Sequence, residues 1–238
     1  MSIATAGSPV HPLHAGVVHD ALEPRYARTV GQTLGVEALG VVGLSFVLGA
    51  VPSSNVAARR TRGVDLRDYG VGTVSGSALY RVAGFGPLAV AGIFDVGKGA
   101  VGPLLAGPDR PVLAAMAASA AVAGHNWSPF LRGRGGRGIA PSLGALLARA
   151  WPGAALVGAG MVAGKALRQT SAGTFVAEVA LAPVLAVWGG RHAALLGAAV
   201  ALPMLAKRML GESRPERDRG RAYVHRLVFD HDRAGVTT

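Results

Sequence analysis

From residue 35 onward the chain alternates long apolar runs with short breaks. The runs cover roughly 35–57, 82–106, 111–128, 139–150, 152–167, 172–189 and 191–206. They show almost none of the polar striping at helical spacing that a helix facing water on one side would carry, so a soluble bundle is a poor match. A bilayer core of about 30 Å takes about 20 apolar residues per helix, with about 17 at the lower end. Two runs, 139–150 and 152–167, are short by that measure, and Trp151-Pro152 marks the break between them. The runs are rich in Ala and Gly, the small residues that let membrane helices approach closely. The pattern predicts an all-α fold: a polytopic membrane helical bundle of about seven transmembrane helices.

Charge placement orients this bundle. Only 16% of the residues are charged, against about 25% in a typical soluble domain. The net charge is nevertheless +11, so the location of the basic residues is informative. With the N-terminus outside and one crossing per run, four inside segments are basic. They carry Arg59, Arg60, Arg62 and Arg67; Arg132, Arg134 and Arg137; Lys165 and Arg168; and the tail from Lys207 and Arg208. The outside turns carry only Arg110, Arg149 and Arg191. That asymmetry follows the positive-inside rule and predicts basic loops on the cytoplasmic side. Residues 1–34 lack the basic start and apolar core of a cleavable signal peptide. They read as an N-terminal extension, disordered or forming a short surface helix. Residues 35–210 make the transmembrane domain, and 211–238 a charged cytoplasmic tail near anionic headgroups.

Several chemistries drop out. No cysteine is present, which excludes disulfides, thiolate metal sites and cysteine nucleophiles. The seven histidines never pair at metal-ligand spacing within a helix, so a structural zinc site is not expected; nor is any other metal or cofactor. Residues 92–98, GIFDVGK, resemble a phosphate-binding P-loop, but Gly99 stands where Ser or Thr should hold magnesium, and no strand precedes it. The run RGRGGRG, residues 132–138, resembles RNA-binding segments, which are repeated and interleaved with aromatics. A single copy tethered between membrane runs predicts no nucleic-acid partner.

Three features remain on the expected inside face. One is VDLRDYGVGTVSGSALYR, residues 64–81, a loop rich in Gly, Ser and Thr that ends in Arg81. Another is GHNWSPFLRGRGGRGIAP, residues 124–141, with its paired glycines and three arginines. The third is Asp95 with Lys98, two ionisable residues inside an apolar run. Intramembrane charges are costly and usually functional, while a purely structural i,i+3 ion pair is the alternative; both readings stay open here. Glycine-rich loops expose backbone N–H groups to a phosphate, and arginine adds charge-assisted bonds. Two such loops on one face suggest a site for a phosphorylated, water-soluble molecule, and the bilayer suggests an acyl chain as its reaction partner.

These residues resemble a known family, the bacterial membrane glycerol-3-phosphate acyltransferases that use acyl-phosphate as donor, the PlsY family. The stretch LGAVPSSNVAARRTRGVDLRDYGVGTVSGSALYR is similar to that family's first helix and first motif, GSGNxGATNxxR. FDVGKGAVGPLLA is similar to its D-x-x-K-G segment, and GHNWSPFLRGRGGRGIAPSLG to its second motif, GHxxPxFxxFKGGKGVATxxG, with arginines for lysines. RQTSAG resembles its short R-x-x-S element. Order and spacing agree from about Gly35 to Gly173. The resemblance departs at Val71 and Thr73, which replace the first motif's Ser and Asn, and at 202–205, where a third motif would place His and Asn. Those positions read Leu202, Pro203, Met204 and Leu205, ahead of a recognisable Lys207-Arg208-Met209-Leu210.

The resemblance implies a seven-helix, N-out fold in the bacterial cell membrane with its site loops in the cytoplasm. It implies a reaction in which glycerol 3-phosphate takes a fatty acyl group from acyl-phosphate, giving lysophosphatidic acid without a cofactor. By position it implies catalytic roles for Arg81 and Arg137, with Thr73 and Ser75 as hydroxyls that compensate for the altered first motif. It implies substrate-binding roles for Ser77, Arg134, Gly135, Gly136, His125, Lys98 and Asp95. Two other classes stay open at this stage: a non-catalytic relative that binds lipid or acyl-phosphate or scaffolds lipid-synthesis enzymes, and a small transporter.

Overall fold

The computed structural model describes residues 35–70 and 74–210, together with Val228. The extension 1–34, Thr73 with its neighbour Val71, and all of the tail except Val228 lie outside the described residues. Every regular element among the described residues is helical. Helix α1 covers 35–50, α2 Ser53–Arg62, α3 Gly76–Ala83, α4 Phe85–Ala106, α5 Pro111–Asn126, α6 Ile139–Arg149, α7 Trp151–Ala166 and α8 Thr170–Leu210. Two short 3-10 turns, Leu66–Asp68 and Pro129–Leu131, sit in the loops. The described residues from Gly40 onward belong to one compact unit.

The boundaries follow local chemistry. The first apolar run divides at Val51-Pro52, because Pro52 offers no N–H to continue the α1 ladder. Helix α2 then carries Arg59, Arg60 and Arg62 in its last turn and stops at Gly63, whose φ of 69° is the left-handed cap that glycine accepts. The Trp151-Pro152 break expected between two short runs is the α6–α7 junction, with the proline in the first turn of α7. The last two runs share α8, but its backbone leaves helical geometry at Gly189 and Gly190. It is therefore two arms, 170–188 and 191–210, as the two runs predicted.

Three stretches among the described residues are long and apolar enough to cross a bilayer: Gly35–Arg62, α4 and α8. Helices α5 and α7 have 16 residues each and α6 has 11, so α6 rises only about 17 Å. The outward faces are strongly apolar; Val187 is 91% and Ile93 72% exposed. Lipid solvates such a surface, which in water would mark an association patch. The main core is made by Val122, Leu146, Val157, Leu181, Leu185, Val200 and Met204, drawn from α5 to α8. Elsewhere small residues do the packing. A Cβ on Gly99 would run into the Pro141 backbone, and one on Gly144 into the Val96 carbonyl. Helices α4 and α6 thus meet backbone to backbone, which only residues without a side chain permit.

Candidate functional site

The second-motif stretch folds back on the helix that precedes it. Helix α5 ends at Asn126, and Trp127 closes it with its N–H to Ala123 O. After the Pro129–Leu131 turn, Arg132 and Gly133 take left-handed backbone angles, φ 57° and 80°, and reverse the chain. The Gly133 N–H returns to Ser128 O at 2.9 Å, and the Gly136 N–H to His125 O at 3.2 Å. The paired glycines are required by this return. A Cβ on Gly135 would strike the His125 carbonyl, and one on Gly136 the His125 imidazole. A small open pocket results, lined by Val51, Pro52 and Ser54 from the α1–α2 break, by Val74, and by His125, Ser128, Leu131, Gly135 and Gly136. Buried Ser128 fastens this wall by donating to Ala50 O at 2.6 Å.

Beside the pocket lie the two charges of α4. Lys98 Nζ stands 2.7 Å from Asp95 Oδ1, so the i,i+3 ion pair is formed. The same ammonium donates to Val51 O at 2.7 Å, at the break between α1 and α2. His125 Nδ1 lies 3.9 Å from Asp95 Oδ1. The pair therefore has a structural partner in the broken helix and a pocket-lining histidine as its neighbour. The two readings left open by the sequence are compatible.

The first-motif loop reaches the same pocket through Val74, which is buried. Ser75 follows as the N-cap of α3, accepting from Ala78 N–H at 3.3 Å, and its hydroxyl is 3.1 Å from that of Ser77. Arg81, one turn on, is exposed and donates from Nε to Ser77 O at 3.3 Å. Arg134 is exposed, whereas Arg137 is half-buried and its charge acts on Glu178. Thus the fold gathers His125, Gly135, Gly136 and Val74 around one opening, with the Asp95–Lys98 pair next to His125. Ser77, Arg81 and Arg134 are exposed and do not line it, and Thr73 lies outside the described residues.

The loop ahead of α3 is anchored independently. Asn55 Oδ1 accepts the buried Leu66 N–H at 2.7 Å. Asp65 caps the Leu66–Asp68 turn, accepts from the Arg67 guanidinium at 2.7 Å, and pairs with Arg59. The hydrogen bonds from Arg67, with those from Arg59, hold the Asp65 carboxyl well below the usual carboxylate range and outweigh its desolvation.

Several residues beyond the sequence-based candidates line up behind the turn. Asn126, Ser128, Thr174, Glu178, Lys207 and Arg208 are all buried. Arg208 bridges the two arms of α8: Nε donates to Glu178 Oε2 at 2.8 Å, and one Nη donates to Oε1 at 3.0 Å and to Thr174 Oγ1 at 2.5 Å. Lys207 sits over the Trp127 ring, 5.8 Å from its centroid. Their signal in the sequence was polarity within apolar runs, which told of burial but not of partners. At 202–205 the structure agrees with the apolar sequence; Met204 is fully buried in the core.

The helical arrangement is that of an integral membrane protein. It is similar to the crystal structure of PlsY, an integral membrane glycerol 3-phosphate acyltransferase, in its glycerol 3-phosphate form. The TM-score is 0.66 at 24% identity, over 82% of this chain and 94% of that one. The lysophosphatidic acid form gives a TM-score of 0.63 at 23% identity, over 72% and 87%. The chain belongs to the glycerol-3-phosphate acyltransferase family, whose model matches residues 39–210. The glycerol-3-phosphate acyltransferase of Parasynechococcus marenigrum is 36% identical over 171 residues, 71% of this chain and 81% of the relative. That of a Synechococcus species is 34% identical over 173 residues, 71% and 86%.

Proposed function

We propose that this chain acylates the primary hydroxyl of glycerol 3-phosphate to give lysophosphatidic acid, with an acyl-phosphate as donor. Family membership supports the reaction. The observation that carries the site assignment is the convergence of the glycine turn at 135–136, His125 and Val74 of the first-motif loop on one pocket. The hydroxyl oxygen of the acceptor attacks the acyl carbonyl, the bond from that carbon to the phosphate oxygen breaks, and the departing phosphate takes the proton. The donor is already activated, so holding two phosphates side by side and balancing their charge supplies most of the catalysis.

In this reading Gly135 and Gly136 let the acceptor's phosphate approach the backbone, Arg137 balances its charge, and Arg134 guides it in from the exposed side. Arg81, with Ser75, Ser77 and Thr73 around the start of α3, attends the donor phosphate. His125 lines the pocket, 3.9 Å from Asp95 of the Asp95–Lys98 pair. The basic loops face the cytoplasm of a bacterial cell, with seven helices crossing its plasma membrane and the N-terminus outside. One fact supports that topology: three segments assigned inside by charge meet at one place, since Val74 and the glycine turn share the pocket and Lys207 stacks on Trp127.

The test is direct. Purified protein in detergent is given glycerol 3-phosphate with an acyl-phosphate, an acyl-CoA or an acylated carrier protein in turn, and lysophosphatidic acid is followed. Product from acyl-phosphate alone is expected. Product only from the other donors overturns the donor assignment, and retained substrate binding with no product from any donor points to the non-catalytic relative.

A further inference from the structure

At 202–205, where the resemblance sought polar side chains, the chain is apolar, but the space beside these residues is not. Asn126, the last residue of α5, is completely buried, and its Nδ2 donates to the Pro203 carbonyl at 2.8 Å. A carbonyl only accepts, so the amide nitrogen must face Pro203 and the side chain has one orientation. That turns Oδ1 the other way, where it is buried without a hydrogen-bond partner. A Cβ on Gly138 would come within 2.8 Å of this oxygen. Gly138 ends the glycine turn and is the N-cap of α6, with φ 77°. The Asn126 main-chain carbonyl also backs the turn's other end: a Cβ on Gly135 would lie 2.6 Å from it.

An unpartnered acceptor in the interior is costly, and an apolar side chain of similar volume would fill the space without that cost. Asn126 is therefore a poor choice for packing alone. We propose that Asn126 is a positioning residue for the acceptor's phosphate. Its side chain lies against Gly138 at one end of the glycine turn, its main-chain carbonyl lies against Gly135 at the other, and its Nδ2 ties the end of α5 to the second arm of α8 at Pro203. That arm carries Lys207, whose ammonium stands over Trp127, the residue next to Asn126. The tie thus fixes the turn and a buried cation in one frame, a task that the apolar side chains at 202–205 do not perform. The proposal rests on reading the turn as the glycerol 3-phosphate cradle.

The experiment compares wild type with Asn126→Leu, which keeps the branched side-chain skeleton and removes both polar atoms. Steady-state kinetics are measured against each substrate, together with the thermal protection conferred by glycerol 3-phosphate. The expected result is a rise of about 10- to 100-fold in KM for glycerol 3-phosphate, with donor KM and kcat within about threefold and protection by the acceptor lost. Asn126→Asp, which keeps the shape and alters the donor atom, carries the same measurements if the leucine variant does not fold. An unchanged KM for glycerol 3-phosphate overturns the proposal, as does a parallel rise in both KM values, or failure of both variants to fold. A wild type that makes no lysophosphatidic acid sinks the functional reading instead; acceptor protection of wild type against variant then still decides the role of Asn126.

Discussion

Replacing Glu178 with alanine leaves Arg208 in the interior without its counter-charge. The two side chains are 0% and 2% exposed and joined by a bidentate pair at 2.8 and 3.0 Å. After the substitution the Thr174 hydroxyl is the hydrogen-bond partner that Arg208 keeps. Breaking one side of a buried pair typically costs about 3–5 kcal/mol. At about 1.4 kcal/mol per decade, the folded fraction relative to unfolded falls by roughly two to three and a half orders of magnitude. Reversible unfolding in mixed detergent micelles, followed by tryptophan fluorescence, measures it. Replacing both partners, Glu178→Leu with Arg208→Met, removes the stranded charge, so most of the stability returns. A Glu178→Ala protein within about 1 kcal/mol of wild type, the range of an exposed pair, would refute the reasoning. So would a double variant as unstable as the single one.

Three further expectations concern other parts of the molecule. Gly144→Ala drives a methyl into the Val96 carbonyl across the α4–α6 contact, and since backbone cannot swing aside, a loss of about 1–3 kcal/mol is expected in the same unfolding assay. Gly136→Ala meets the His125 ring, whereas Gly133→Ala meets open space at φ 80°. The first raises KM for glycerol 3-phosphate, and the second costs only about 1–2 kcal/mol of local strain while KM holds; equal KM values in the two variants would remove Gly136 from the site. Asp65→Asn loosens the 63–69 loop, seen as faster hydrogen exchange at the Leu66 and Tyr69 amides. Because the folded carboxyl titrates below its unfolded value of about 3.9, the protection it gives is full above that pH. It fades as pH falls toward the folded value, so the wild-type advantage over Asp65→Asn shrinks in acid; an advantage constant down to pH of about 2 would contradict the Arg67 pairing.

What the linear chain decided is what local chemistry decides. Apolar length, Pro52, Pro152 and the pair Gly189-Gly190 placed the helices and their breaks, because a missing N–H or a left-handed backbone acts on its own neighbours. The second motif announced a tight glycine turn, because paired glycines allow backbone approaches that a Cβ would block. The tertiary structure decided which groups share a space. Asp95 and Lys98 are one turn apart in sequence, but only folding sets Lys98 against the Val51 carbonyl and Asp95 near His125. Glu178 and Arg208 stand thirty residues apart, and nothing in either neighbourhood names the other; the return of α8 at its glycine break makes them a pair. Asn126 is the clearest case. In the sequence it is an unremarked residue inside a motif, and its contact with Pro203, seventy-seven residues away, exists only because the end of α5 meets the second arm of α8. Polarity in an apolar run shows that a group must be satisfied; the crossing of helices determines by what.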